Sequence, residues 1–399
     1  MNSKDFSPFT PGKPVPVDLF VGRIDQIKQV TRFVKQSTAG CLENIFLLGE
    51  RGIGKSSFAS LLCKIAAKEE SMVGIYVNLG YVSSLEDMVR HIFNEILNET
   101  REKGIFERVK SLFGSYVKEV DLFGLTVSFE PPAEKLKTLV ERFPEAINNL
   151  LIEITKKNKG LIIVLDDING LAEKAEFANW YKSFADEIAI KYDKKFPVAI
   201  VVVALPEKRD KLTSLQPSLM RVFRVIEINK LSDDEVRDFY IKAFKKVEIE
   251  VMPEALSEIV KWSGGLPIVM HEIGDAVYYL VDSDMRVDGV DIIPALIVAA
   301  NSIGRRYLDP KVSQIKSENY ISIISKLGES FERNFNVKDL LPRLTKDEEK
   351  VLYNFLDRLR KLEIIEIDRE KGRGAYRFIN ELYPAYFWFR AQEKKHSKK

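Results

Sequence analysis

A three-layer α/β fold with a parallel sheet, followed by an all-α lid and a C-terminal winged-helix domain, is what this 399-residue sequence predicts. Three observations predict it. Apolar runs at 45–48, 161–165 and 198–205 alternate with stretches of helical period, the pattern of βαβ crossovers. The first run enters Gly49-Glu-Arg-Gly-Ile-Gly-Lys-Ser56, which fits G-x-x-x-x-G-K-[ST] and opens a helix rich in Ala, Leu and Ile. From Leu231 the pattern turns helical, until two short strand patterns close the chain.

Composition narrows the functional classes. With 45% hydrophobic and 30% charged residues, the chain can bury a large core and is long enough for two or three domains. A net charge of +2 gives no global pull toward nucleic acid or an anionic membrane, so local charge must carry any such claim. Two cysteines, Cys41 and Cys63, and three histidines make neither a disulfide framework nor a zinc cluster, and free thiols fit the cytoplasm. Apolar runs such as 292–300, interrupted by Pro294, fall well short of the roughly 20 residues of a membrane span. No apolar leader opens the sequence, so no membrane partner is expected.

Residues 1–19 carry Pro8, Pro11, Pro14 and Pro16 without apolar period and read as an extended arm. The α/β core spans 20–230, beginning with Phe20-Val-Gly-Arg23 and a helix to about residue 36. In the glycine-rich loop, backbone N–H groups can turn inward on an anion, and the helix from Lys55 adds the positive end of its dipole. That assigns Gly49, Glu50, Arg51, Gly52, Ile53, Gly54, Lys55, Ser56 and Ser57 to a nucleotide cradle. Lys55 reaches the terminal phosphates and the Ser56 hydroxyl ligates Mg²⁺.

A strand at 73–78 and a helix at 85–97 come next. Residues 116–130 alternate around Gly124 as a hairpin, which either touches a partner or packs on the surface. The helical stretch 134–156 is bent or divided by Pro144. The next run ends in two acids, Asp166 and Asp167. A strand apolar on both faces belongs inside a parallel sheet, whose carboxyl edge is where ligands bind. Asp166 is therefore placed to hold Mg²⁺ opposite Ser56, directly or through water. Asp167 either orients or deprotonates the attacking water or ends the strand in solvent. After a helix at 177–189 and the strand 198–205, Arg221 and Arg224 precede a further strand. Either one reaches the γ-phosphate of an adjacent subunit in a homo-oligomer, or pairs with a surface carboxylate.

The lid, 231–308, reads as four helices and no strand. Ser232 with Glu235 fits a capping box, Pro253 opens a second helix that stops at Gly264-Gly265, Leu266-Pro267 opens a third to 280, and 292–305 is the fourth. Residues 309–399 hold helical stretches at 317–327, 337–341 and 346–362 and strands at 364–368 and 375–379, an order that suggests a winged helix. From Phe331 onward 17 Lys and Arg stand against 12 Asp and Glu, and 394–399 is a basic tail. Asp347, Glu348 and Glu349 would repel phosphates at the start of the groove-reading helix. Duplex DNA and a protein partner therefore stand equal as its target.

Taken together, 20–23, 49–56, 161–167, Leu219-Met-Arg-Val-Phe223 and Gly264-Gly-Leu-Pro267 occur in an order that resembles the archaeal and bacterial P-loop ATPases of the AAA+ and STAND group, including relatives of origin-recognition initiators. The resemblance covers most of the chain. It implies ATP or ADP with Mg²⁺ as ligands, with Val21, Gly22 and Arg23 near the adenine and Leu266 and Pro267 closing over the base. Three departures matter. Val203-Ala204-Leu205-Pro206 lacks the family's polar sensor residue, Pro267 stands where initiators tend to carry arginine, and Asp167 replaces the usual glutamate. These favour a slow ATP/ADP switch, with Lys55, Asp167 and Arg221 as its catalytic groups. The alternatives are an ATP-dependent DNA-binding initiator or transposition-type factor, and a scaffold that holds nucleotide without hydrolysis.

Overall fold

The computed structural model describes residues 6–101, 106–119, 127–281, 285–289, 292–328, 333–369, 371–380 and 382–387. These fall into two compact units, Arg23–Asn229, and Met1–Gly22 with Lys230–Lys399.

The first unit is built on strands β1 (Glu43–Leu48), β2 (Val73–Asn78), a short pair β3 (Val117–Glu119) and β4 (Val127–Phe129), then β5 (Leu161–Asp166), β6 (Val198–Ala204) and β7 (Arg224–Glu227). Five of them form a sheet in the order β2-β5-β6-β1-β7, with every pairing parallel. Strands β1, β5 and β6 are buried along their whole length, whereas edge strand β2 alternates, as covering helices on both faces require.

The helices of this unit are α1 (Ile24–Ser37), α2 (Lys55–Glu69), α3 (Leu85–Arg101), α4 (Phe106–Phe113), α5 (Ala133–Glu141), α6 (Phe143–Ile154), α7 (Ala175–Lys191) and α8 (Pro206–Leu215). In α3, Met88, Val89, Ile92, Phe93, Ile96 and Leu97 recur at helical spacing and are all buried. The stretch 134–156 is divided: α5 stops before Arg142, and Pro144 sits in the first turn of α6, where its missing N–H costs no helical bond. Helices α4 and α8 have no counterpart in the sequence reading. The described strands of the hairpin pack inward. Phe129 is fully buried against Phe93 and Phe113, with ring centroids at 5.5 and 4.9 Å. Residues 120–126, its tip, lie outside the described residues.

The second unit begins with α9 (Asp233–Lys245), α10 (Pro253–Ser263), α11 (Pro267–Leu280) and α12 (Ile292–Ile303). Ser232 and Glu235 form the reciprocal capping box, and α10 stops on Gly264 at φ 53°. The expectation of no strand is corrected, since β8 (Glu250–Val251) pairs in parallel with β9 (Arg286–Val287). Two-residue strands carry no readable alternation.

The proline-rich arm also departs from its sequence reading, because part of it is core. Phe9 is only 3% exposed and is ringed by Phe239, Tyr240, Phe244 and His271, at centroid distances of 5.8, 6.1, 5.0 and 6.4 Å. Gly274 makes room for it: a Cβ there would stand 2.2 Å from the Phe9 ring. The Thr10 N–H donates to His271 Nδ1 at 3.0 Å, which requires that nitrogen unprotonated. Burial pushes His271 down to about 4, in keeping with a neutral ring.

The C-terminal part holds α13 (Asp309–Val312), α14 (Glu318–Leu327), β10 (Asn334–Asn336), α15 (Val337–Leu340), α16 (Lys346–Lys361), β11 (Ile365–Ile367) and β12 (Ala375–Phe378). The strands form an antiparallel sheet ordered β10-β12-β11, the winged-helix arrangement. It has one strand more than the sequence suggested, since Asn-Phe-Asn shows no strand pattern. Of the three acids opening α16, Glu348 is turned inward rather than toward solvent. It is 3% exposed, accepts from Lys326 Nζ at 2.5 Å and from the Thr345 N–H at 2.6 Å. Asp347 is paired with Lys350 at 2.8 Å. The basic tail 394–399 lies outside the described residues.

Phe9→Ala should destabilise the protein by about 3 kcal/mol, the cost typical of emptying a buried aromatic site, as read by denaturant unfolding. Glu348 supplies a pH signature. Burial opposes its charge, but the bonds from Lys326, Ser322 and the Thr345 N–H outweigh burial and hold it at about 2, below its ordinary 4.5. Its contribution is present above that ordinary value and lost as pH falls toward about 2. Glu348→Gln should flatten the acid limb of the stability curve over that window.

Candidate nucleotide-binding site

The site is assembled where the sheet's parallel strands end. Because Leu48 of β1 lies beside Ala204 of β6, and Leu165 of β5 beside Val202, the loop after β1 and the acids after β5 emerge on one edge. Asp166, the last residue of β5, is paired in register with Asn78 of β2.

Residues 49–54 turn the chain from β1 into α2. Gly52 and Gly54 take φ values of 75° and 89°, which side chains with a Cβ disfavour, and Gly54 serves as the N-cap of α2. Lys55 folds back on the turn. Its Nζ donates to the carbonyls of Gly49 at 2.6 Å and Glu50 at 2.8 Å. Burial pulls the Lys55 ammonium down from its ordinary value, with the charges of Asp166, Glu50 and Asp167 working against that pull. A partly desolvated cation ringed by carbonyls is suited to exchange those partners for phosphate oxygens.

Arg23 caps the N-terminus of α1 in the left-handed region, at φ 59°, and is 6% exposed. Its guanidinium donates to the Ile53 carbonyl, tying α1 to the loop. The resemblance expected Arg23 near the adenine. The structure unites it with the loop backbone, whereas Val21, Gly22, Leu266 and Pro267 belong to the other unit. There, Gly22 lies against Glu235, and Leu266 and Pro267 open α11, with Leu266 buried.

The acids take different environments. Asp166 is 4% exposed and accepts a hydrogen bond from the Tyr76 hydroxyl. Tyr76, on β2, thus holds one of the two oxygen groups that sequence reasoning assigned to the metal. No sequence signal singled Tyr76 out, because a tyrosine in an edge strand reads as ordinary sheet. Burial, then the adjacent Asp166 charge, pushes its hydroxyl well above the ordinary value. Asp167 sits in the left-handed region at φ 59° and accepts from the Asn169 amide. Asn169 Oδ1 is buried without a partner. The Asn78 side-chain Oδ1 accepts from the Gly80 N–H at 3.0 Å.

Hard oxygens from Ser56 and Asp166 fit Mg²⁺, which binds through one or two protein groups plus phosphates. Among the described residues no group of three or more His, Cys, Asp or Glu could hold a metal without such help. Strand β6, lying between β1 and β5, ends in Ala204, followed by Leu205 and Pro206, and so presents no polar side chain at this edge. Arg221 is exposed in a short turn, Leu219–Val222. Arg224 is engaged with Glu43 at 3.6 Å and lies over the Phe33 ring at 5.2 Å, a pairing with a buried carboxylate rather than a surface one. Among the described residues no helix is long and apolar enough to cross a membrane.

The comparisons agree with this geometry. A family model described as an AAA ATPase domain matches residues 19–180. An uncharacterised HTH-type transcriptional regulator of Methanocaldococcus jannaschii is 22% identical over 281 residues, which are 66% of this chain and 64% of that protein's length. Among solved structures, the Walker-type ATPase of Pyrococcus abyssi is similar with a TM-score of 0.56 at 18% identity, over 92% of this chain and 96% of that one. The Orc2 protein of Aeropyrum pernix, in its ADPNP–ADP complexes, is similar with a TM-score of 0.60 at 15% identity, over 99% and 97%. At such identities the likeness is one of fold. Residues 19–180 match the AAA ATPase domain model, and the fold is like that of these solved structures.

Arg23→Ala should leave the buried Ile53 carbonyl without its guanidinium, costing about 1–3 kcal/mol. Faster amide hydrogen exchange across residues 50–54 is the measurement that localises the effect.

Proposed function

Proceeding from an AAA ATPase core, we propose that this chain is a slow nucleotide-dependent switch that hydrolyses ATP to ADP and phosphate. The observation that carries this reading is the buried Asp166 at the end of β5, on the same sheet edge as a glycine turn that holds Lys55. In the proposed roles Lys55 and the loop amides bind the phosphates, and Ser56 and Asp166 hold Mg²⁺. When bound, the ion neutralises phosphate charge. Asp167, held by Asn169, orients or deprotonates the attacking water. Arg221 is proposed to act on the nucleotide of a neighbouring copy. The slow rate is inferred from the apolar end of β6 and from Asp167, one methylene shorter than glutamate. Free cysteines support a cytoplasmic setting.

A second reading is an ATP-dependent DNA-binding factor. Its support is the winged-helix topology of the C-terminal part together with the similarity to an HTH-type regulator. The inward turn of Glu348 removes one of three acids counted against it. The non-hydrolysing scaffold is the third reading.

Steady-state phosphate release, with and without duplex DNA, tests all three. Under the leading reading release is slow, Lys55→Ala abolishes nucleotide binding, and Asp167→Asn lowers turnover by about a hundredfold or more while ATP still binds. Stimulation by DNA, with affinity falling steeply as salt rises, would turn the assignment to the second reading. Tight ATP binding with no release would leave the scaffold.

A further inference from the structure

The Tyr76 phenol stands against one of the two candidate metal ligands, Asp166, and this placement has no part in the roles assigned above. Its hydroxyl donates to Asp166 Oδ2. The Tyr76 backbone is held by the sheet, since Tyr76 pairs with Val164 of β5, two residues before Asp166. We propose that Tyr76 is a positioning residue that latches Asp166 when no divalent cation is bound, so that cation uptake requires the latch to open.

The physical reason is a competition for the same lone pairs. A carboxylate as buried as Asp166, 4% exposed, needs a donor when it holds no cation, and the phenol supplies it. The same hydroxyl is neutral and carries no charge to match a carboxylate, so it does not replace Asp166 at the metal. Its cost falls on the cation alone. Nucleotide docking depends on Lys55 and the loop amides, which the phenol does not touch. The latch therefore separates the affinity for nucleotide from the affinity for metal and biases the site toward holding nucleotide without its ion.

The proposal rests on the nucleotide-binding reading, and the experiment keeps the two apart. ADP binding to the full chain is measured by calorimetry in EDTA, and Mn²⁺ binding to the ADP-saturated chain by electron paramagnetic resonance. Tyr76→Phe keeps the ring and removes the hydroxyl. Its ADP affinity in EDTA should stay within about twofold, and its Mn²⁺ affinity should rise about tenfold, the size of one net hydrogen bond to a charged group. Equal or weaker Mn²⁺ binding with ADP binding intact would overturn the latch and leave the nucleotide reading standing. No ADP uptake by the unsubstituted chain would sink both. Should Tyr76→Phe misfold, the unsubstituted chain decides. Adding Mg²⁺ to its ADP complex should give a tyrosine ultraviolet difference spectrum, and a flat difference would refute the latch.

Discussion

Parallel pairing of β5, β6 and β1 is the constraint on which the rest depends. These strands are buried along both faces, so each backbone N–H and C=O must be satisfied by a neighbouring strand. Pairing in parallel makes them finish on one edge. The segments leaving the strands are then gathered there: the glycine turn after β1, the acid pair at the end of β5, and the apolar end of β6. Polar chemistry concentrates where the ladders stop and helix α2 begins, because that is where backbone amides are left without strand partners.

At this edge the buried charges are satisfied locally. Lys55 is held by two loop carbonyls, Asp166 by a phenol, and Asp167 by an amide two residues on. A desolvated ammonium and a desolvated carboxylate are each costly unless bonded, and both are bonded. The same logic operates in the winged helix. Glu348, which from sequence belongs to a repulsive acidic cluster, is an internal cap and the partner of Lys326. Charge counted along the chain is therefore a poor guide to charge presented to solvent.

Much of the fold was legible because periodicity survives in long elements. Strand β2 spans the residues 73–78 read as a strand, and the capping box at Ser232 and the glycine stop at Gly264 lie where local chemistry put them. Short elements escaped: β8, β9 and β10 hold two or three residues each, too few to show a period. The arm misled for a different reason. Phe9 stands among prolines, with Phe6 three residues before it but no repeating apolar period, and only the cavity formed by α9 and α11 gives it a place. At the site, the loop and both acids could be read from motif and strand end. Tyr76 and Asn169 could not, because their importance is a matter of which atoms they meet.

The sequence by itself determined the phosphate-loop turn, the acids ending a buried strand, and the succession of α/β core, helices and wing. Those rest on contacts between residues near one another in the chain, where propensity and spacing act directly. Only the tertiary structure decided that Tyr76 donates to Asp166, that Arg23 braces the loop, that Phe9 is core and that Glu348 is internal. Each of these joins residues distant in sequence, and the energy of such a contact depends on burial and direction, which arise only once the chain has closed upon itself.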